Sequence, residues 1–153
     1  MAKIIVDMNI PTKAGQAGYP DYFFHEMNST SKHHVLFGGT KYLDELRKKE
    51  KLQRILIDWL SRKKATRLDK AGVDSFENIL RERIIAKVGA IPNECDDLHI
   101  IAIASVGNCP NVLTYDQRMC DCKDKVRMKV GVEYFPNIKF VKSKAIFEKL
   151  QCI

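Results

Sequence analysis

The segment Lys3-Ile4-Ile5-Val6-Asp7 constrains the fold more than any other. Three consecutive β-branched apolar residues, with no polar alternation, read as a strand buried on both faces. Such a strand needs helices on both sides of its sheet, and the remaining sequence alternates helical segments with short apolar runs. Pro11 to Pro20, rich in glycine and proline, reads as a loop. Asp21 to Met27 carries a short helix through Tyr22, Phe23 and Phe24. After Val35-Leu36-Phe37 and the turn pair Gly38-Gly39, Thr40 is placed to N-cap a helix through Lys48. Leu52, Ile55, Leu56, Trp59 and Leu60 recur at helical spacing, so Lys51 to Arg62 is an amphipathic helix. Ala65 to Leu68 offers a short strand, and Phe76, Ile79, Leu80, Ile84 and Val88 mark a helix ending near Gly89. Val112 to Thr114 and Ile138 to Val141 read as strands, separated by a basic helical or loop segment. Ser143 is placed to cap a last helix through Leu150. The expected architecture is α/β, a three-layer α/β/α sandwich with a mainly parallel central sheet, residues 1–153 forming a single domain.

Four acids stand where apolar runs meet polar sequence: Asp7, Glu45, Asp97 and Asp116. A carboxylate at the margin of a core must offset its desolvation. In parallel α/β sheets ligands collect at the carboxyl ends of the strands, and Asp7 and Asp116 each follow a strand directly. Asp97 precedes Leu98-His99-Ile100-Ile101-Ala102-Ile103-Ala104, a run that periodicity alone leaves open between strand and helix. Flanking Pro92-Asn93-Glu94 and Gly107-Asn108-Cys109-Pro110, with the two alanines, favour helix. Asp97 then lies in the first turn, where the helix dipole stabilises a negative charge. Gathered in one pocket, four carboxylates repel one another unless a cation sits among them. Mg2+ or Mn2+ is therefore the expected cofactor. Each acid also has a plainer reading: an Asx-turn or helix cap for Asp7, an ion-pair ladder with Lys41 and Lys49 for Glu45, a structural helix cap for Asp97, and a turn residue for Asp116. Around them, Asn9 caps the loop or orients a water, and Asp96 caps the helix or backs the ligands. Thr114 shares a strand face with Asp116 and is expected to bond that carboxylate or a water.

Taken in order, Ile4-Ile5-Val6-Asp7-Met8-Asn9, the acidic helix around Glu45, Asp97 to Ala104, and Leu113-Thr114-Tyr115-Asp116 resemble the PIN-domain family. These small metal-dependent nuclease modules are found in many prokaryotic toxins of toxin–antitoxin pairs, and the resemblance runs from Lys3 to Asp116. It implies a metal-dependent endoribonuclease in which Asp7, Glu45, Asp97 and Asp116 are catalytic, with Asp7, Asp97 and Asp116 as metal ligands. It selects Glu45 over Asp44 and Asp97 over Asp96, names RNA as substrate, and raises an antitoxin as partner; a homodimer is left open. The family often has an acid a few residues beyond the Thr-x-Asp. Here Gln117 to Cys120 intervene, and Asp121 is the nearest candidate for a further ligand.

The net charge of +7, from 26 Lys and Arg against 19 Asp and Glu, lies largely in polar runs. These are Arg47-Lys48-Lys49-Glu50-Lys51, Arg62-Lys63-Lys64 and Lys123 to Lys129. A basic rim around an acidic, metal-filled centre suits a polyanion backbone, and Lys48, Lys49, Lys63 and Lys64 are the expected nucleic-acid contacts. The five cysteines show neither a disulfide framework nor Cys-x-x-Cys zinc spacing, and are expected as reduced, buried or idle thiols. His33-His34 read as loop residues and His99 as a core histidine. The longest apolar stretch, Ile100 to Val106, is far short of the ~20 residues a membrane span needs. With no signal-peptide pattern, a soluble cytoplasmic protein without membrane contact is expected. Two other classes remain in view. Haloacid-dehalogenase-like phosphatases also begin with a strand ending in Asp, but need a second Asp where this chain has Asn9. A PIN fold with a degraded site would act as an RNA-binding or regulatory module.

Overall fold

The structure is a computed structural model that describes residues 2–8, 10, 19–29 and 32–150. Its strands are β1 (Ala2–Val6), β2 (His33–Phe37), β3 (Ala65–Arg67), β4 (Asn111–Leu113) and β5 (Lys139–Val141). Its helices are α1 (Tyr19–Ser29), α2 (Thr40–Arg47), α3 (Glu50–Ser61), α4 (Lys70–Val88), α5 (Leu98–Val106), α6 (Gln117–Val130) and α7 (Lys144–Leu150). The strands form one sheet in the order β3-β2-β1-β4-β5, every pairing parallel. Strands this short carry no covering face of their own; Ile4, Ile5 and Val6 are all fully buried, as a strand covered on both sides requires. On one side Phe23 of α1, Trp59 of α3 and Phe147 of α7 meet edge to face. On the other, α5 packs along α4, which also meets α6. Parallel connections are right-handed, so reversing the direction of travel across the sheet moves the helices to the opposite face.

That reversal positions the site. From β1 the chain steps outward to β2 and β3, then returns across to β4 and β5, which leaves a crevice beyond the carboxyl ends of β1 and β4. Val6 pairs with Leu113, so the two strands end level with each other. Asp7 and Thr114-Tyr115-Asp116 emerge side by side.

The Ile-rich run is a helix, and Leu98 through Ala104 are all buried on it. A helix apolar on every side has to be central, and α5 lies between α4 and β1. Ser143 caps α7 as expected, accepting from the Ile146 amide at 3.3 Å. Two local expectations are corrected. Thr40 is not the N-cap of α2; that position is Gly39, with φ 87°. A β-carbon there would stand 2.6 Å from Val73 Cγ1, so only glycine fits both the space and the dihedral. The cap arrives from another helix: Asp74 of α4 accepts the Thr40 amide at 2.8 Å and the Thr40 hydroxyl as well. His33 and His34 are strand residues rather than loop residues. His33 is buried against Phe147, and His34 Nε2 meets Thr66 Oγ1 at 2.6 Å across the β2–β3 pair. Among the described residues no helix is long and apolar enough to cross a membrane.

Candidate metal centre

Asp7 is set by its backbone: its amide donates to Leu113 O at 2.9 Å, continuing the β1–β4 ladder one residue past the strand. The residue is 6% exposed. The Thr114 hydroxyl donates to Asp7 Oδ2 at 2.6 Å and accepts the Asp116 amide at 2.9 Å. This corrects the expectation that Thr114 serves the Asp116 carboxylate. The rule that alternate residues share a strand face stops applying where β4 ends at Leu113. Beyond it the chain turns so that Asp116 caps α6, accepting the Arg118 amide at 2.9 Å.

Glu45 reaches the same crevice from α2. Fully buried Tyr42, one turn earlier, donates its hydroxyl to Val6 O at 2.7 Å and holds α2 against the end of β1. Asp97 occupies the N-cap position of α5 without making a side-chain cap bond, leaving its carboxylate available to the crevice. Asp96 beside it is exposed, 3.3 Å from Arg118, with its carbonyl accepting Lys41 Nζ at 2.8 Å. His99, two residues into α5, puts Nε2 3.6 Å from Glu45 Oε2.

The electrostatics follow from crowding. Burial raises the Asp7 carboxyl above its ordinary range; the Thr114 and Met8 hydrogen bonds oppose this and the Asp116 charge adds to it. Burial likewise pushes Asp97 up to about 6, opposed by His99 and reinforced by Asp7 and Asp96. Glu45 is held below the usual carboxylate range, chiefly by the His99 ring and further by Lys41 and Lys48. Two sets of side chains bring ligand atoms within 4.8 Å of one another: Asp96, Asp97 and Asp116, and Glu45, Asp97 and His99. Asp7 belongs to neither set, but its charge bears on Asp97, and those of Asp116 and His99 bear on it. Carboxylates that burial and mutual repulsion drive toward protonation, next to a buried imidazole whose nitrogens make no hydrogen bond, are a donor set that fits a divalent cation.

The other expected residues distribute unevenly. Asp121 accepts from Gln117 Nε2 at 3.1 Å and belongs to neither ligand set. Asn9 lies outside the described residues. Lys48 stands near Glu45, and Lys49 is the N-cap residue of α3. Lys63 and Lys64 immediately precede β3, so the parallel sheet puts them at its amino edge, opposite the acids. Lys64 Nζ is engaged there, donating to Met27 O at 2.6 Å and Asn28 O at 3.0 Å at the end of α1. Lys41, Arg118 and Lys142 are not among the nucleic-acid contacts expected from the sequence. Lys142 directly follows β5 and donates to Gln117 Oε1 at 2.7 Å, on the acidic edge. Isolated from longer basic runs, these three carry no signal beyond their distance in sequence from elements not yet known to be neighbours.

The expectation of reduced thiols is also corrected. Cys95, in the turn before Asp96-Asp97, is disulfide-bonded to Cys122 in α6, while Cys109 and Cys120 are free. A separation of 27 residues carries no motif; packing α6 beside the acidic turn brings the two Cα atoms within 5.0 Å. Apart from the acids, Phe37, Leu43, Leu46, Leu56, Ile57 and Leu60 line a groove of about 210 Å3 between α2 and α3, with Arg47 and Arg67 among its walls.

No family model and no curated protein matches this chain. Among solved structures it is similar to a chain of VapBC2 from Rickettsia felis, bound to a DNA fragment from their promoter. The TM-score is 0.52 at 20% identity, over 93% of this chain and 99% of that one. The fold is PIN-like. At that identity the likeness concerns the path of the chain, and the site rests on its own residues.

Proposed function

We propose that this chain is a metal-dependent endoribonuclease of the PIN type, acting as the toxin of a toxin–antitoxin pair. What supports the reading is that Asp97 shares one set of ligand atoms with Asp116 and another with Glu45, while Asp7, whose charge bears on Asp97, follows β1 at the switch point of a parallel sheet. Asp7, Asp97 and Asp116 hold Mg2+ or Mn2+, with Asp96 behind them. When bound, the cation polarises a phosphoryl oxygen and makes the attacking water more acidic. Thr114 fixes the Asp7 carboxylate, and Glu45, ionised and half-buried, orients the attacking water through a carboxylate oxygen. Lys41, Lys48, Lys49, Arg118 and Lys142 form a basic margin for the strand entering the crevice; Lys63 and Lys64 contact it only if it wraps to the opposite edge. RNA as the polymer follows from the resemblance to PIN nucleases.

An antitoxin is the proposed partner, since the similar structure is a VapBC2 assembly. The groove between α2 and α3, where Ile57 is 58% exposed, is the proposed seat for one of its apolar segments.

The test is incubation of the purified protein with mixed RNAs, with and without Mn2+, beside Asp7→Asn. Cleavage that needs both the metal and the Asp7 carboxylate is expected. Equal cleavage by Asp7→Asn would overturn the assignment, and hydrolysis of a small phosphate ester without RNA cleavage would support a phosphatase.

A further inference from the structure

The two ligand sets in the crevice differ in chemistry. Asp96, Asp97 and Asp116 offer only carboxylate oxygens, whereas Glu45, Asp97 and His99 offer two carboxylates and an imidazole; Asp97 belongs to both. His99 is 1% exposed, and neither of its ring nitrogens has a hydrogen-bond partner. Its neighbours along α5, Leu98 and Ile100 to Ala104, are apolar and buried, so packing alone would be served by leucine at this position. The ring is aimed at the acids: Nε2 is 3.6 Å from Glu45 Oε2, just beyond a hydrogen bond. Donors sharing one cation stand roughly 3.0–3.4 Å apart, given metal–ligand bonds of about 2.1 Å. The observed separation is within a few tenths of an ångström of that span.

We infer that Glu45, Asp97 and His99 form a distinct cation position, in which His99 is a direct ligand and which favours a first-row transition ion over Mg2+. Imidazole suits transition ions, and affinity for mixed nitrogen–oxygen sites rises from Mn2+ through Co2+, while Mg2+ prefers oxygen and water. Asp97 links this position to the all-oxygen set, giving the crevice two chemically unequal halves. The inference rests on the metal-centre reading given above and adds a nitrogen ligand absent from its acid set. Among the four histidines, His33 and His34 begin β2 at the far edge of the sheet and His25 is exposed on α1. Only His99 adjoins the acids.

Pulsed electron paramagnetic resonance of the wild-type protein with Mn2+ tests the ligand directly. Modulation from a coordinated imidazole 14N is expected, and it should vanish in His99→Gln, which keeps the other three histidines. Calorimetry on the same variant should show Mn2+ affinity lowered by at least the ~10–100-fold typical of losing a group that supports a metal, with Mg2+ affinity unchanged. Glutamine retains an N–H able to donate to Glu45, so unaltered Mn2+ affinity in His99→Gln would reduce His99 to a positioning residue and overturn the inference. A wild-type spectrum without 14N coupling would overturn it too, whether or not the variant folds. Neither readout uses RNA. Nitrogen-coordinated Mn2+ without RNA cleavage would sink the nuclease reading and leave the site standing, while RNA cleavage with an all-oxygen Mn2+ spectrum would do the reverse.

Discussion

Replacing Asp97 by Asn removes one charge and almost no volume, and its effect on stability should have opposite signs with and without metal. Burial and neighbouring charges raise the Asp97 pKa from 3.8 to about 6, which at 1.36 kcal/mol per unit is a penalty of roughly 3 kcal/mol on the ionised form. Asp97 is only half-buried, and solvent screening reduces this to about 1–2 kcal/mol. Asn forgoes the attraction between a carboxylate and the N-terminus of α5, about 0.3–1 kcal/mol. No cap bond is lost, because Asp97 makes none. In chelator at pH 8 the variant should therefore be more stable by up to about 1.7 kcal/mol, a rise of up to roughly 7 °C in Tm. The pH dependence has a definite sign. A folded pKa above the unfolded one stabilises the protein below pH 3.8, and that contribution is lost as pH rises through about 6. The variant's advantage should thus be absent below pH 3.8, grow between that value and 6, and then level off. With Mn2+ at 100 times its Kd the wild type gains about 2.7 kcal/mol, the variant gains little, and the order inverts. Melts across pH in chelator and in Mn2+ provide the assay. Destabilisation of Asp97→Asn by more than about 1 kcal/mol in chelator at pH 8 would refute the reasoning and make Asp97 a structural cap.

Thr114→Val removes the hydroxyl that holds Asp7, and should cost about 1.5–3 kcal/mol at pH 8, the value of a hydrogen bond to a charged group. The cost should shrink in acid as Asp7 becomes neutral, and denaturant melts at two pH values would show it. Replacing Cys95 and Cys122 together by serine opens a loop of 27 residues and should lower stability by roughly 3–4 kcal/mol; a midpoint matching that of the wild type without reductant would argue against the bridge. Neutralising Lys41, Lys48 and Lys49 should flatten the salt dependence of RNA binding, by about 0.7 in log–log slope for each phosphate that these lysines no longer neutralise. The same change at Lys63 and Lys64 should leave that slope unaltered unless the RNA wraps to the amino edge.

Much of the local structure is written in single segments. Ile4-Ile5-Val6 has to be a covered strand, the spacing of Leu52, Leu56 and Trp59 has to be a helix, and an acid directly after β1 and another three residues past β4 fall near strand ends whatever the topology. These are short-range consequences of periodicity and side-chain shape, and they made the α/β class and the candidate acids legible. What a segment cannot encode is its neighbour. Strand order set Asp7 beside Thr114, so the hydroxyl expected to serve Asp116 serves Asp7 instead. Helix packing let Asp74 cap α2 from 34 residues away and joined Cys95 to Cys122. The parallel sheet separated Lys63 and Lys64 from acids that their proximity to Glu45 in sequence suggested they would meet. It also turned His99, which reads as a core residue on an apolar helix, so that its ring faces the acidic crevice. Each of these contacts depends on which strands pair and which helices cover them, a choice made by the crossovers and the packing of the whole chain.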